Sequence, residues 1–117
     1  MKKIYYLSTC DTCKKILSSI NTEGFELIDI KKNPLSESDL DLLKDLVGSY
    51  EKLFSKRAQL YKKLNLKEKN LTEQDYKKYL LEHYTFLQRP VLVDNDFISV
   101  GSSVKAKESL VNRYGIS

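Results

Sequence analysis

A chain of 117 residues, 41% hydrophobic and 31% charged with two Pro and four Gly, has the size of one domain and the composition of a packed one. That balance excludes disordered, collagen-like and low-complexity classes. The net charge of +4, from 20 Lys and Arg against 16 Asp and Glu, reads as a lysine-rich solvated surface with a mild preference for anions, not the concentrated stripe of a direct nucleic-acid binder.

Lys3 to Leu7 is a short apolar and aromatic run bounded by Ser8-Thr9, and predicts a buried strand. Beyond Cys10 the period changes. Cys13, Ile16, Leu17 and Ile20 recur at helical spacing with one face to bury, and Gly24 is placed as the C-terminal cap. Phe25 to Ile30 predicts a second strand, its alternation clearest over Ile28-Asp29-Ile30. Two strands joined by a crossover helix run parallel.

A helical block follows, at about residues 35–85. Ser36 and Asp39 form a capping-box pattern ahead of Leu40, Leu43 and Val47, with Leu35 set to staple onto Leu40. Lys56 to Leu64 predicts a short helix carrying Leu60, Tyr61 and Leu64. Thr72 with Asp75 repeats the capping box, Leu71 can pack on Tyr76, and that helix runs through Tyr79 and Leu80 to about His83. Pro90 to Val93 and Phe97 to Val100 flank the turn Asp94-Asn95-Asp96, which predicts an antiparallel hairpin. Gly101-Ser102-Ser103 then offers an N-cap to a last helix with Val104, Leu110 and Val111 on one side. The order β-α-β, helical insert, β-β-α fits few architectures. The foremost is an α/β thioredoxin-like sandwich with a mixed central sheet, here one domain over residues 1–117.

No apolar run is long enough to span a bilayer, and Met1 to Ser8 lacks the apolar stretch of a signal peptide, so the expected compartment is the cytoplasm. Cys10 and Cys13 form a single Cys-Asp-Thr-Cys unit, unlike the wider frameworks of secreted disulfide scaffolds. Structural zinc takes four Cys or His ligands, and after these two only His83 remains; a metal site within one chain is rejected. His83, near a helix end, is accounted for by the helix dipole.

A Cys-x-x-Cys in the turn between a first strand and its helix is a specific placement. Unpaired N–H groups and the positive helix end favour a thiolate at Cys10, which makes it the candidate nucleophile. Cys13, one turn in and on the apolar face, is placed to resolve a mixed disulfide, or else is an ordinary core residue. Lys14 and Lys15 assist ionisation and Asp11 opposes it. Arg89-Pro90 is the second constellation. A proline opening a strand occupies a first or edge position. On the thioredoxin-like reading this is a cis-proline facing Cys10, with Arg89 aiming charge at whatever Cys10 holds; the alternative is a loop arginine before a trans-proline.

These residues resemble the arsenate reductase family, which includes ArsC, Spx and YffB-type proteins. The resemblance runs from Ser8-Thr9-Cys10-Asp11-Thr12-Cys13-Lys14-Lys15, through Ser55-Lys56-Arg57 and Tyr61-Lys62-Lys63-Leu64-Asn65, to Leu87-Gln88-Arg89-Pro90-Val91-Leu92-Val93 and Val100-Gly101. It implies a thioredoxin-like fold with a helical insert, a nucleophile at Cys10 and an arginine before cis-proline at Arg89-Pro90. Thr12, Arg57 and Pro90 are the implied binding positions. Many glutathione- and glutaredoxin-dependent arsenate reductases carry serine where this chain has Cys13. Their two further oxyanion-holding arginines fall on Ser55 and Gly101 here. The pair instead resembles Spx-like members, in which it forms a regulatory disulfide.

Two functions follow from the resemblance. One is a thiol oxidoreductase without bound cofactor, acting on an oxyanion or a thiol/disulfide substrate and recharged by an external reductant, glutathione/glutaredoxin or thioredoxin. The other is an Spx-like redox sensor that docks on an RNA polymerase α subunit without turnover. Gly48 lies in the region of that contact, and equally suits a helix end after Val47. Direct nucleic-acid and membrane partners are not expected.

Overall fold

A computed structural model describes residues 1–116. These residues form two compact units: Met1–Asn33 with the chain from Arg89 onward, and Pro34–Gln88.

The first unit holds the sheet. Strand β1 (Lys2–Tyr6) pairs in parallel with β2 (Glu26–Asp29) and antiparallel with β3 (Val91–Asp94), which pairs antiparallel with β4 (Phe97–Val100). The order β2-β1-β3-β4 gives the mixed sheet of a thioredoxin-like fold. Helix α1 (Asp11–Ser18) is the crossover between the parallel strands, and α5 (Val104–Tyr114) follows the hairpin. Asp94 pairs with Phe97, leaving Asn95-Asp96 as a two-residue turn; Asn95 takes the positive φ of 56° that asparagine tolerates. Ile4, Ile16, Ile20, Leu92 and Leu110 form the buried cluster, with Leu17, Phe25, Phe97 and Tyr114 packed against it.

Three expectations for this unit need correction. Helix α1 ends earlier than its apolar period implies: Ser19 is its C-cap, Ile20 is buried beyond the helix in a bridge to Gly115, and Gly24 serves the turn into β2 instead. The buried line of α5 is Leu110 with Tyr114, not Leu110 with both valines. Val104 is 75% and Val111 38% exposed. Tyr114 sets this rotation, with its ring against Phe25 and Phe97 and its hydroxyl donating to Asp94 at 2.7 Å. In β2, alternation implied an outward Asp29, yet Asp29 is buried.

The second unit is helical. Helix α2 (Glu37–Val47) starts at Ser36, whose hydroxyl accepts from the Asp39 N–H at 3.2 Å, and stops at Gly48 with φ 110°. A side chain is strained in that conformation, so glycine ends the helix there. Helix α4 (Glu73–Glu82) carries the complete Thr72–Asp75 capping box. Between them α3 is only Gln59–Lys63, shorter than the expected Lys56 to Leu64, because Lys56 and Arg57 form a turn and Leu64 already caps the helix. Short 3₁₀ turns at Glu51–Leu53, Leu66–Glu68 and Tyr84–Phe86 complete the unit. Its centre is Phe54, stacked on Phe86 at 5.1 Å and met edge-on by Tyr76 and Tyr61 at 4.9 and 5.9 Å. His83 is the C-cap of α4. Its Nδ1 accepts from the Thr85 N–H at 3.1 Å and caps the 3₁₀ turn that follows.

Candidate active site

Cys10 is the N-cap residue of α1, with extended backbone (φ −97°, ψ 109°). The preceding turn is closed by its N–H donating to the Leu7 carbonyl at 3.0 Å, and α1 begins with the Lys14 N–H on the Cys10 carbonyl at 3.1 Å. The strand-to-helix turn therefore fixes the thiol at the positive end of an eight-residue helix. The neutral thiol closes no capping bond of its own; the ionised sulfur is what the first-turn donors favour. Partial burial works against ionisation. It is outweighed together by the Cys13 N–H and thiol, the Arg89 charge and the Thr12 N–H, so Cys10 titrates below the ordinary 9.0.

Cys13 is fully buried on the inner face of α1 beside Ile16. Burial first, and then donation of its proton to Cys10, push this thiol up to about 12; the negative charge of an ionised Cys10 acts in the same direction, while Leu7 and Arg89 act against it. Both cysteines are free thiols here. One is poised to ionise and the other to keep its proton while the first is charged.

Arg89 precedes β3, is half-buried with its Nε inside, and its charge is felt at both thiols. The Arg89–Pro90 bond is cis, as the thioredoxin-like reading expects. Pro90 is buried and its carbonyl accepts from the Gly101 N–H at 2.9 Å, tying the first residue before β3 to the residue after β4. Thr12 is exposed in the first turn and contributes its main-chain N–H. Cys10, Cys13, Thr12, Arg89 and Pro90 thus belong to one unit. Arg57 belongs to the helical unit, exposed in the turn before α3. Ser55, the residue at one of the missing arginine positions, donates its N–H to the Phe86 carbonyl at 2.6 Å.

Sequence reasoning missed Asp29. The Ser8 hydroxyl holds its carboxyl below the usual carboxylate range, joined by the Lys31 N–H at 3.1 Å, the Lys32 charge and the Ser8 N–H, against a smaller penalty from burial. Ser8 lies two residues before Cys10, so a buried carboxylate anchors the segment that leads to the nucleophile. No local pattern marks it, because alternation over Ile28-Asp29-Ile30 assigns Asp29 to solvent.

Among the described residues, no three His, Cys, Asp or Glu lie together so as to hold a metal ion, and no helix is long and apolar enough to cross a membrane.

A profile of the ArsC family matches residues 5–109. The arsenate reductase of Acidiphilium multivorum is 30% identical over 93 residues, covering 77% of this chain and 66% of that protein. The global transcriptional regulator Spx of Bacillus subtilis is 26% identical over 106 residues, covering 86% of this chain and 79% of that protein. Among solved structures, a possible arsenate reductase from Streptococcus mutans superposes with a TM-score of 0.75 at 28% identity, covering 94% of this chain and 97% of that one.

Proposed function

The chain belongs to the ArsC family, and from that premise we propose that it is a thiol–disulfide oxidoreductase with Cys10 as nucleophile and Cys13 as resolving thiol. The Cys10 thiolate attacks one sulfur of a substrate disulfide. A Cys10–substrate disulfide forms, and the other substrate sulfur leaves as a thiolate. Cys13 then gives up its proton and attacks Cys10 Sγ, releasing the second substrate thiolate. The substrate gains two electrons and the Cys10–Cys13 pair becomes a disulfide. An external thiol, glutathione/glutaredoxin or thioredoxin, returns the pair to two thiols. Arg89 and the first-turn N–H groups stabilise negative charge at Cys10 and on its target.

The observation that carries this reading is the opposite bias of the two thiols, Cys10 lowered and Cys13 raised, at one helix start. Forming the Cys10–substrate bond removes the negative charge that opposes Cys13 ionisation. The second thiol thereby becomes easier to ionise once the first has reacted, with burial left as the main opposition.

Arsenate is the narrower proposal for the substrate. The Cys10 thiolate would displace a hydroxyl oxygen from arsenic. Attack of Cys13 or an external thiol on Cys10 Sγ would then send two electrons to arsenic, which leaves as arsenite. Similarity to the arsenate reductase supports it; Ser55 and Gly101 at the two arginine positions weigh against efficient turnover. Similarity to Spx supports a second reading, in which the same disulfide alters a surface that meets an RNA polymerase α subunit and no turnover follows.

A single-turnover assay on reduced protein separates these. Arsenate and oxidised glutathione are added separately, and free thiols lost per chain are followed with arsenite release. Loss of both thiols with arsenite formed supports arsenate reduction. Loss with the disulfide alone supports the general oxidoreductase, and catalytic turnover with added reductant excludes a pure switch. Cys10→Ser is expected to abolish all thiol loss, and Cys13→Ser to trap mixed disulfides at Cys10. Equal, small effects of both substitutions would overturn the assigned roles.

A further inference from the structure

The surplus positive charge of this chain sits in one short stretch. Residues 56–69 carry Lys56, Arg57, Lys62, Lys63, Lys67 and Lys69 against the single acid Glu68, while the remaining residues hold 14 cations against 15 acids. The charge is therefore more concentrated here than the lysine-rich solvated surface expected from the sequence. All six cations are exposed. Among the described residues only Lys56 has an acidic partner, Glu51 at 2.8 Å.

The helical unit folds this stretch into a fixed platform. Helix α3 closes with the Leu64 N–H on the Leu60 carbonyl at 2.9 Å and the Asn65 N–H on the Lys62 carbonyl at 3.1 Å. Asn65, at φ 55°, then turns the chain into the 3₁₀ turn Leu66–Glu68. Leu66 is 1% exposed and pegs that turn down, and the Tyr61 ring lies against Phe54. With Tyr61 and Leu66 taking the inward positions, Lys62, Lys63, Lys67 and Lys69 are left outside. Leu64, 46% exposed, stands among them.

We propose that this platform docks an acidic protein segment that brings an apolar residue onto Leu64. Charge complementarity selects the sign of the partner. The exposed leucine within a lysine rim selects its class, because an apolar centre bounded by charge is the layout of a protein–protein contact. Nucleic acid fits less well: Tyr61 is half-buried with its ring against Phe54 and is not a free stacking platform, and α3, about 7.5 Å long at 1.5 Å per residue, is too short to line a groove. The surface requires no thiol chemistry, so it stands apart from the oxidoreductase reading.

Fluorescence anisotropy on the full chain tests it with three labelled probes: a short Glu/Asp peptide with Leu at every fourth position, the same peptide with Ser for Leu, and a short DNA duplex. The leucine-bearing peptide is expected to bind best and to weaken with salt. Lys62→Glu/Lys63→Glu/Lys67→Glu is expected to weaken it by about tenfold or more, and the neutral Gln triple variant by less. Leu64→Ser is expected to erase the advantage of the leucine-bearing peptide over the serine one. All these residues are exposed, and a thermal melt verifies that each variant folds. Duplex binding as tight as the peptide, no peptide binding at low salt, or folded charge variants that bind unchanged would each overturn the proposal.

Discussion

In the sheet-bearing unit, main-chain ladders between β1, β2, β3 and β4 and the five-residue apolar cluster carry the order. In residues 34–88 the work passes to side chains that reach distant main-chain groups. The Glu73 carboxylate accepts from the Tyr50 N–H at 2.8 Å and the Glu51 N–H at 3.1 Å, and the Gln88 amide donates to the Lys52 and Phe54 carbonyls at 3.0 and 3.3 Å. A sheet satisfies its own polar groups and leaves its loops free to hold reactive residues. A unit of short helices and 3₁₀ turns has many unpaired chain ends, and each needs a dedicated partner.

The largest stability effect expected in the helical unit is from Phe54→Ala, which removes the ring that three other aromatic residues pack against and costs about 3–5 kcal/mol. Native-state hydrogen exchange should then rise within residues 34–88 first. A uniform rise across all protected amides would break the contrast between the two regions. Glu73→Ala leaves two main-chain N–H groups without their carboxylate and is expected to cost about 1–2 kcal/mol by denaturant unfolding. Glu73→Gln keeps one acceptor and is expected to lose less. Smallest is Thr72→Ala, about 1 kcal/mol, since it opens one half of a capping box while Asp75 can still accept from the residue 72 N–H. A cost for Thr72→Ala above that for Glu73→Ala would mean that local caps outweigh the distant clamps.

The same contrast decides what could be read from the sequence. Strands β1, β3 and β4, the hairpin turn and the starts of α2, α4 and α5 each carry a local signature, in alternation, turn residues or a capping hydroxyl. Cys10 and Arg89-Pro90 were legible because strand-to-helix turns and prolines opening strands are themselves local features. Asp29 was not, because its partner Ser8 lies on a different segment and alternation alone assigns the position to solvent. Nor was the rotation of α5. Val104 and Val111 satisfy helical spacing, but Tyr114 turns the helix through contacts made with Phe25, Phe97 and Asp94. Helix α3 was overestimated mainly at its start, where Lys56 and Arg57 form a turn, and by one residue at its end, where Leu64 is the C-cap ahead of the positive-φ Asn65.

The assignment of the two thiols rests on their opposite titration. Both lose a proton with rising pH, and each gains thiolate, and with it reactivity, as the pH approaches its own pKa: for Cys10 below the ordinary 9.0, for Cys13 up at about 12. The direct measurement is iodoacetamide labelling of the reduced protein across pH, with site-resolved mass spectrometry. Cys10 is expected to reach half its limiting rate below pH 9.0, while Cys13 stays unlabelled well above it. Two thiols that label together near pH 9.0, or Cys13 labelled first, would contradict the account.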